Sequence, residues 1–317
     1  MSGTRVLITG ASGFAGGWLW RECAAQGDDV VGVSRRGSAP AGCGGGVAVD
    51  LRDAGEIAGA IRRRRPEVVF HLAALTSVGR SWSDPARAVS DNDLIAVNLL
   101  EALRSHAPDA RIVWVSSCEV YGDPESLPVR EDARLAPANP YAVSKAAGEM
   151  LTEVYREAYG LRIVRARPFS HSGPGQLPIF LLSSLARQAA QARLAGARTA
   201  RIVTGNPDAR RDFTDVRDIV RGYRLLALAP DGEGAAFNVS SGISISARDQ
   251  VELLSRLLHP TAVEHVVDRS LTRAREIMDL RGDPTRIAAL TGWRPQIPLE
   301  QTMADTIAWW ERELAGA

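Results

Sequence analysis

The tightest constraint on this chain is a repeated pattern, in which short and nearly continuous apolar runs are each followed, in most cases, by a stretch long enough for a helix. The runs are Arg5-Val6-Leu7-Ile8-Thr9, Val30-Val31-Gly32-Val33, Val47-Ala48-Val49, Val68-Val69-Phe70-His71-Leu72, Ile112-Val113-Trp114-Val115 and Leu161-Arg162-Ile163-Val164. A strand with one wet face alternates apolar and polar residues, whereas a strand that is apolar throughout must be covered on both faces. The pattern therefore predicts an α/β fold, a doubly wound parallel sheet with helices on each side, over residues 1–168. After Arg167-Pro168 the character changes to proline- and glycine-containing loops and helices such as 181–194 and 216–228. A smaller, mostly helical region is expected over 169–317, interleaved with the first because an apolar run near 236–240 reads as a strand rejoining the sheet. An amphipathic helix over 299–314 carries Trp309 and Trp310.

Charge excludes several partner classes. Lys plus Arg number 38 and Asp plus Glu 37, so no global field favours nucleic acid or an anionic membrane, and any anion site must be local. No apolar run approaches the roughly 18 residues of a spanning helix. Arg62 to Arg65 reads as a helix C-terminus, where cations oppose the dipole and Pro66 acts as a stop, rather than as an interaction patch. Cys23, Cys43 and Cys118 form no C-x-x-C pair, and with no signal segment in view a cytoplasmic setting is expected. The five histidines, His71, His106, His171, His259 and His265, lack metal-ligand spacing, so no metal is expected; His71 reads as a packed strand-end residue.

The first run ends in Gly10-Ala11-Ser12-Gly13-Phe14-Ala15-Gly16, followed by a helix. Glycines at this spacing let the backbone turn tightly against a pyrophosphate, which the free N–H groups of the helix N-terminus stabilise. The second run ends in Ser34-Arg35-Arg36 with no acid, which points to the 2'-phosphate of NADP(H), with two solvated loop arginines as the alternative. Asp50 and Leu51, after the third run, are placed to contact the adenine. Leu72, Ala73 and Ala74, after the fourth, and Pro168, after the sixth, complete the expected cofactor site.

The fifth run leads into Ser116-Ser117-Cys118-Glu119, and downstream Asn139-Pro140-Tyr141-Ala142-Val143-Ser144-Lys145 opens a helix. Tyr141 and Lys145 lie four apart and so face the same way. A phenol titrates near 10, so exchanging a proton near neutrality requires about 4 kcal/mol of stabilisation of its anion, which a neighbouring ammonium can supply. Ser117 can hydrogen-bond the same substrate oxygen. A Tyr-Lys pair alone is weak; glycine turn, Ser-bearing strand end and Tyr-x-x-x-Lys in this order are specific.

With these motifs the chain resembles, over nearly its whole length, the extended short-chain dehydrogenase/reductases, the Rossmann-type family that modifies nucleotide-activated sugars. Within it the chain is most similar to the GDP-4-keto-6-deoxymannose reductases, which form GDP-rhamnose, and related 4-ketoreductases. The segments are 71–82, 139–145, His171-Ser172-Gly173-Pro174-Gly175-Gln176, 211–218 and Gly292-Trp293-Arg294-Pro295. The resemblance implies NADPH-dependent reduction of the C4 ketone of an NDP-4-keto-6-deoxyhexose, with Ser117, Tyr141 and Lys145 as the triad and a homodimer formed through the helices around 86–103 and 141–159. It implies substrate contacts from Thr76, Ser77, Ser170, His171 and Gln176, diphosphate contacts from Arg211 and Arg273, and a ribose contact from Glu276. Arg273 and Glu276 read equally well as a surface ion pair. Ser170 stands where relatives carry asparagine, and Ile95 and Ala96 replace small and hydroxyl residues. Glu119 leaves a 4,6-dehydratase or 4-epimerase open, since related dehydratases use a glutamate there as a base, while Cys118 in place of an acid leans against it. A non-catalytic NADP(H) sensor is the remote alternative.

Overall fold

The computed structural model describes residues 3–40, 43–75, 78–272 and 276–316. Its first half alternates strands and helices: β1 (Arg5–Thr9), α1 (Phe14–Ala25), β2 (Asp29–Ser34), β3 (Gly46–Ala48), α2 (Ala54–Arg64), β4 (Val68–His71), α3 (Val78–Ser83), α4 (Pro85–His106), β5 (Arg111–Val115), α5 (Pro140–Tyr159) and β6 (Arg162–Pro168). Then follow β7 (Ser170–Ser172), α6 (Leu181–Leu194), β8 (Thr199–Thr204), β9 (Arg210–Asp215), α7 (Val216–Leu228), β10 (Ala236–Val239), β11 (Ser244–Ser246), α8 (Ala247–Leu258), β12 (Ala262–Val267), β13 (Asp279–Leu280), α9 (Thr285–Thr291) and α10 (Leu299–Ala315).

The main sheet has seven strands in the order β10-β6-β5-β4-β1-β2-β3, with parallel pairing throughout. Its apolar runs are buried on both faces because successive side chains point opposite ways. Val6, Ile8, Val113 and Val115 join a core with α1 and α7, while Leu7, Ile112 and Trp114 join another with α2, α4 and α5. Each fully buried Val, Leu or Ile contributes about 1.5–3 kcal/mol, so both helical layers are held by the same strands. Ile95 and Ala96 pack into the second of these cores.

Local signals set the helix ends. Asp53 caps α2 by accepting from Gly55 N and Glu56 N at 2.8 and 3.0 Å, and α2 runs out at Arg62, Arg63 and Arg64. The later region is less uniformly helical than the sequence suggests. A small sheet, β11-β9-β13 with β7 paired to β9, and a β12-β8 pair accompany the helices. The strands of the small sheet, of two to six residues, are mostly Ser, Arg and Asp, so no apolar run announces them. A third core joins α6, α8 and α10; a fourth, with Cys118, Val120, Phe169, Ile277 and Leu280, packs the C-terminal ends of β5 and β6 against β13.

Candidate active site

The chemistry-bearing residues gather at the carboxyl ends of the central strands, where a doubly wound sheet opens a crevice. β1 leads into Gly10, which has φ +72°, and a Cβ there would come within 2.9 Å of Ala73 N. Only glycine lets this turn pass under the end of β4, so Gly10 and the Leu72-Ala73-Ala74 segment share one wall. At Gly16 a Cβ would collide with the carbonyl of Gly10, which keeps α1 tight against the turn. Gly13 is the N-cap and offers no side chain, and the first turn of α1 carries no acid. The N–H groups of Phe14, Ala15 and Gly16 therefore remain free for an anion. Ser12 and Gly13 are exposed and line, with Phe14, a cleft of about 230 Å³. This cradle fits a dinucleotide pyrophosphate.

Arg35 and Arg36 follow β2 and are both exposed, with Arg35 close enough to act electrostatically on Asp50. The Asp50 carboxylate is held by Arg52 at 2.7 Å, which keeps it down near pKa 2. Its side chain is thus already engaged by a neighbouring arginine, while Leu51 is buried in the core. Pro168 ends β6 beside Val239.

Asn139 organises the start of α5, the helix that carries Tyr141 and Lys145. Its carbonyl oxygen caps α5 by accepting from Ala142 N at 2.8 Å, while its amide donates to Glu119 Oε2 at 2.9 Å. One side chain thereby ties α5 to the turn that follows Ser117. Ser117 is buried and accepts from Glu119 N at 3.2 Å. Tyr141 is 8 % exposed; burial pushes its phenol above the ordinary value, and a hydrogen bond from Ser117 pulls the other way. Lys145 donates to Val115 O at 2.8 Å, and its Nζ lies 6.0 Å from the Tyr141 ring centre. Burial lowers the lysine to about 8, opposed by the charge of Glu149. Lys145 is the single lysine of the chain, every other residue in the Lys plus Arg total being arginine.

His71 is packed, as its position suggests. Ala73 N donates to Thr9 Oγ1 at 3.2 Å, so the Thr9 hydroxyl, 2.9 Å from His71 Nδ1, has its proton free for that nitrogen. Burial, aided by the charge of Lys145, takes His71 down to about 3, so the ring stays neutral. The sequence marks His71 as a packed strand-end residue and gives no sign that it neighbours Lys145; Asn92, which relatives also carry in the helix after the fourth strand, accepts from Leu75 N at 2.8 Å and donates to Ser144 Oγ at 2.9 Å.

Beside the glycine turn, His171 of β7 places Nδ1 2.9 Å from Phe169 O and lies parallel to Phe14, with ring centres 6.1 Å apart. Trp18 Nε1 donates to Pro174 O at 3.0 Å, so α1 also docks the loop after β7. Ser170 is half-buried on β7. The Gln176 amide is engaged within this loop: it accepts from Ser172 Oγ and donates to His171 O, an arrangement that shapes the loop. Arg211 donates from Nη1 to Arg210 O and Ile277 O at 2.8 and 2.7 Å and lies near enough to Cys118 to act on its thiol. Glu276 presents a buried Oε2 without a hydrogen-bond partner. Thr76, Ser77 and Arg273 lie outside the described residues. Among the described residues no group of three or more His, Cys, Asp or Glu could hold a metal, and no helix is long and apolar enough to cross a membrane.

The family model described as GDP-mannose 4,6 dehydratase matches residues 7–306. The chain is 38 % identical to the GDP-6-deoxy-D-mannose reductase of Pseudomonas aeruginosa over 249 residues, 78 % of this chain and 81 % of that protein. It is 34 % identical to the UDP-glucose 4-epimerase of Mycolicibacterium smegmatis over 312 residues, 96 % and 97 % of the two chains. Among solved structures, RMD from Pseudomonas aeruginosa complexed with NADPH superposes with a TM-score of 0.85 at 32 % identity, covering 98 % of this chain and 100 % of that one. Taken with the glycine turn and the Ser-Tyr-Lys site, these likenesses show that the chain belongs to the GDP-mannose 4,6-dehydratase family of extended short-chain dehydrogenase/reductases.

Proposed function

We propose that the protein is an NADP-dependent nucleotide-sugar 4-ketoreductase, reducing the C4 ketone of a GDP- or dTDP-linked 4-keto-6-deoxyhexose. The observation that carries this is a buried, proton-bearing Tyr141, hydrogen-bonded to Ser117 and one helical turn from the ammonium of Lys145. A phenol held above its ordinary value is an acid waiting for a stronger base, which the alkoxide of a reduced ketone is. Bound NADPH supplies the hydride. Ser117 donates to the ketone oxygen and orients it, and Tyr141 delivers its proton there as negative charge develops. Lys145, anchored on Val115 O, has two further N–H groups for the nicotinamide ribose and places its charge beside Tyr141. In a chain whose Lys plus Arg total is otherwise all arginine, the lysine stands where a compact, tunable ammonium is needed.

Arg35 and Arg36 are the groups for the 2'-phosphate, and Arg211, with Arg273, for the sugar nucleotide's diphosphate. Two arginine forks suit a diphosphate better than lysine would. Leu94 and Val97 on α4 and Val143, Met150 and Val154 on α5 are exposed apolar side chains. We assign them to a homodimer interface, in an enzyme working in the cytoplasm.

The second reading, a 4,6-dehydratase or 4-epimerase using the same triad, is favoured by Glu119, whose charge bears on Tyr141. Against the dehydratase stands Cys118: burial pushes its thiol well above the ordinary value, leaving a poor proton donor for a departing hydroxyl. The test mixes protein and NADPH with enzymatically made GDP- and dTDP-4-keto-6-deoxyhexoses while following the absorbance of the reduced nicotinamide. Consumption with one of them is expected. No consumption, together with ketosugar formed from an NDP-hexose without added cofactor, would establish the dehydratase instead.

A further inference from the structure

Glu149 lies on α5 one turn beyond Lys145 and is 2 % exposed. It pairs with Arg167 of β6, itself 5 % exposed, through Nε to Oε1 at 2.9 Å and Nη2 to Oε2 at 2.6 Å. Arg167 also donates from Nη1 to the Tyr121 hydroxyl at 2.8 Å and to Glu131 O at 3.0 Å. Tyr121 closes the turn that begins after Ser117, and its hydroxyl donates to Asn238 Oδ1 of β10 at 2.7 Å. The pair thus joins the helix carrying Tyr141 and Lys145 to the turn flanking Ser117 and to the last strand of the sheet.

Two charges removed from water are seldom a net gain in stability over apolar side chains of similar volume, so packing alone does not account for them. We propose that Glu149 and Arg167 are positioning residues for Lys145: Arg167 fixes the Glu149 carboxylate one turn along α5 from the lysine, and that carboxylate is the counter-ion that keeps the ammonium in place at the site.

Lys145 meets few other charged or titratable groups. On its own helix are Tyr141 and Glu149; from β4 comes His71, which is neutral; from β5 comes only the Val115 carbonyl. Glu119 and Cys118 bear on Tyr141, and Arg167 of β6 is reached through Glu149. Glu149 is therefore the one anion acting directly on the lysine among the described residues, and its charge opposes the burial that lowers Lys145. The inference rests on the ketoreductase reading for its functional meaning, but its physical claim concerns only the lysine.

Because Lys145 is the only lysine, selective ¹³C labelling of lysine yields a single side-chain signal whose titration reads this group directly, with or without NADPH. In Glu149→Gln the lysine pKa is expected to fall by about one unit or more, with the alkaline limb of the turnover profile moving down in step. Glu149→Gln/Arg167→Met, which leaves no guanidinium buried without its carboxylate, is expected to show a fall in the same direction and keeps the question open to measurement if the single variant fails to fold. A lysine titration unmoved in the folded variants would overturn the proposal and leave the pair a structural strut. If the wild-type protein reduced no ketosugar, the ketoreductase reading would fail, while the lysine signal would still decide the role of Glu149.

Discussion

Replacing Tyr141 by phenylalanine removes one oxygen from a packed site and separates proton delivery from everything else the site does. The ring is 8 % exposed and stays in place in the variant. The lost hydroxyl is partnered by Ser117, which keeps its bond from Glu119 N at 3.2 Å. A net hydrogen bond contributes about 1 kcal/mol, and the variant no longer desolvates a hydroxyl, so the two effects largely offset. The melting temperature should therefore move by no more than about 3 °C in a chain of this size. The glycine turn, Arg35 and Lys145 are untouched, so NADPH affinity, read by fluorescence titration, should change less than about threefold, under about 0.7 kcal/mol. Turnover is different. A positioned general acid contributes roughly 10²–10⁴-fold, or about 3–5.5 kcal/mol of barrier, and no other described side chain is set to protonate the same oxygen. Single-turnover oxidation of NADPH in the presence of the ketosugar should slow by that factor at unchanged cofactor binding. A folded Tyr141→Phe protein that lost less than about tenfold would refute the assignment, since the proton would then come from elsewhere.

Lys145 titrates near 8 because of its burial, so it is charged below that value and neutral above it; turnover should fall as pH rises through it, with Tyr141 still protonated. Lys145→Arg should flatten that limb and slow the reaction by at least about a hundredfold, since a rigid fork cannot match an ammonium's geometry; a profile unaffected by this change would contradict the role. Exchanging Arg35 and Arg36 together for serine should weaken NADPH binding at least about tenfold while leaving NADH binding nearly unchanged, as measured by titration calorimetry; equal losses for both cofactors would point to a fold defect. Met150→Glu with Val154→Glu places like charges on an exposed apolar face of α5 and should yield monomers in sedimentation velocity with cofactor binding intact. A dimer that persisted would put the interface elsewhere.

The sheet was legible because runs such as Ile112 to Val115 allow no one-sided burial, and the ends of α2 and α5 were legible because Asp53 and Asn139 cap them by local chemistry. The grouping of Ser117, Tyr141 and Lys145 followed from strand order and helical spacing, and the structure brings these side chains together. What escaped was settled at a distance. The strands Ser170–Ser172 and Asp279–Leu280 exist because β9 offers a partner to each, not because of their own composition. The Arg167 side chain finds Glu149 only once β6 lies under α5. The Gln176 amide folds back on Ser172 and His171, bonds that form only once the loop has closed.

The edge strand β10 carries a consequence for the order in which this molecule can be assembled. Arg111 is 5 % exposed, and its guanidinium donates to Leu226 O, Ala229 O and Glu233 Oε1, while Glu233 also binds Arg162 from 71 positions downstream. A ribosome delivers β5 and β6 long before it delivers those acceptors. Until residue 239 has emerged, the nascent sheet ends in an unpaired β6 and holds an arginine with nothing to neutralise it, the combination that invites strand addition from another chain. Cutting the gene after Pro168 would make that transient state permanent. The nucleotide-binding half is therefore the first part to be made and among the last to be finished.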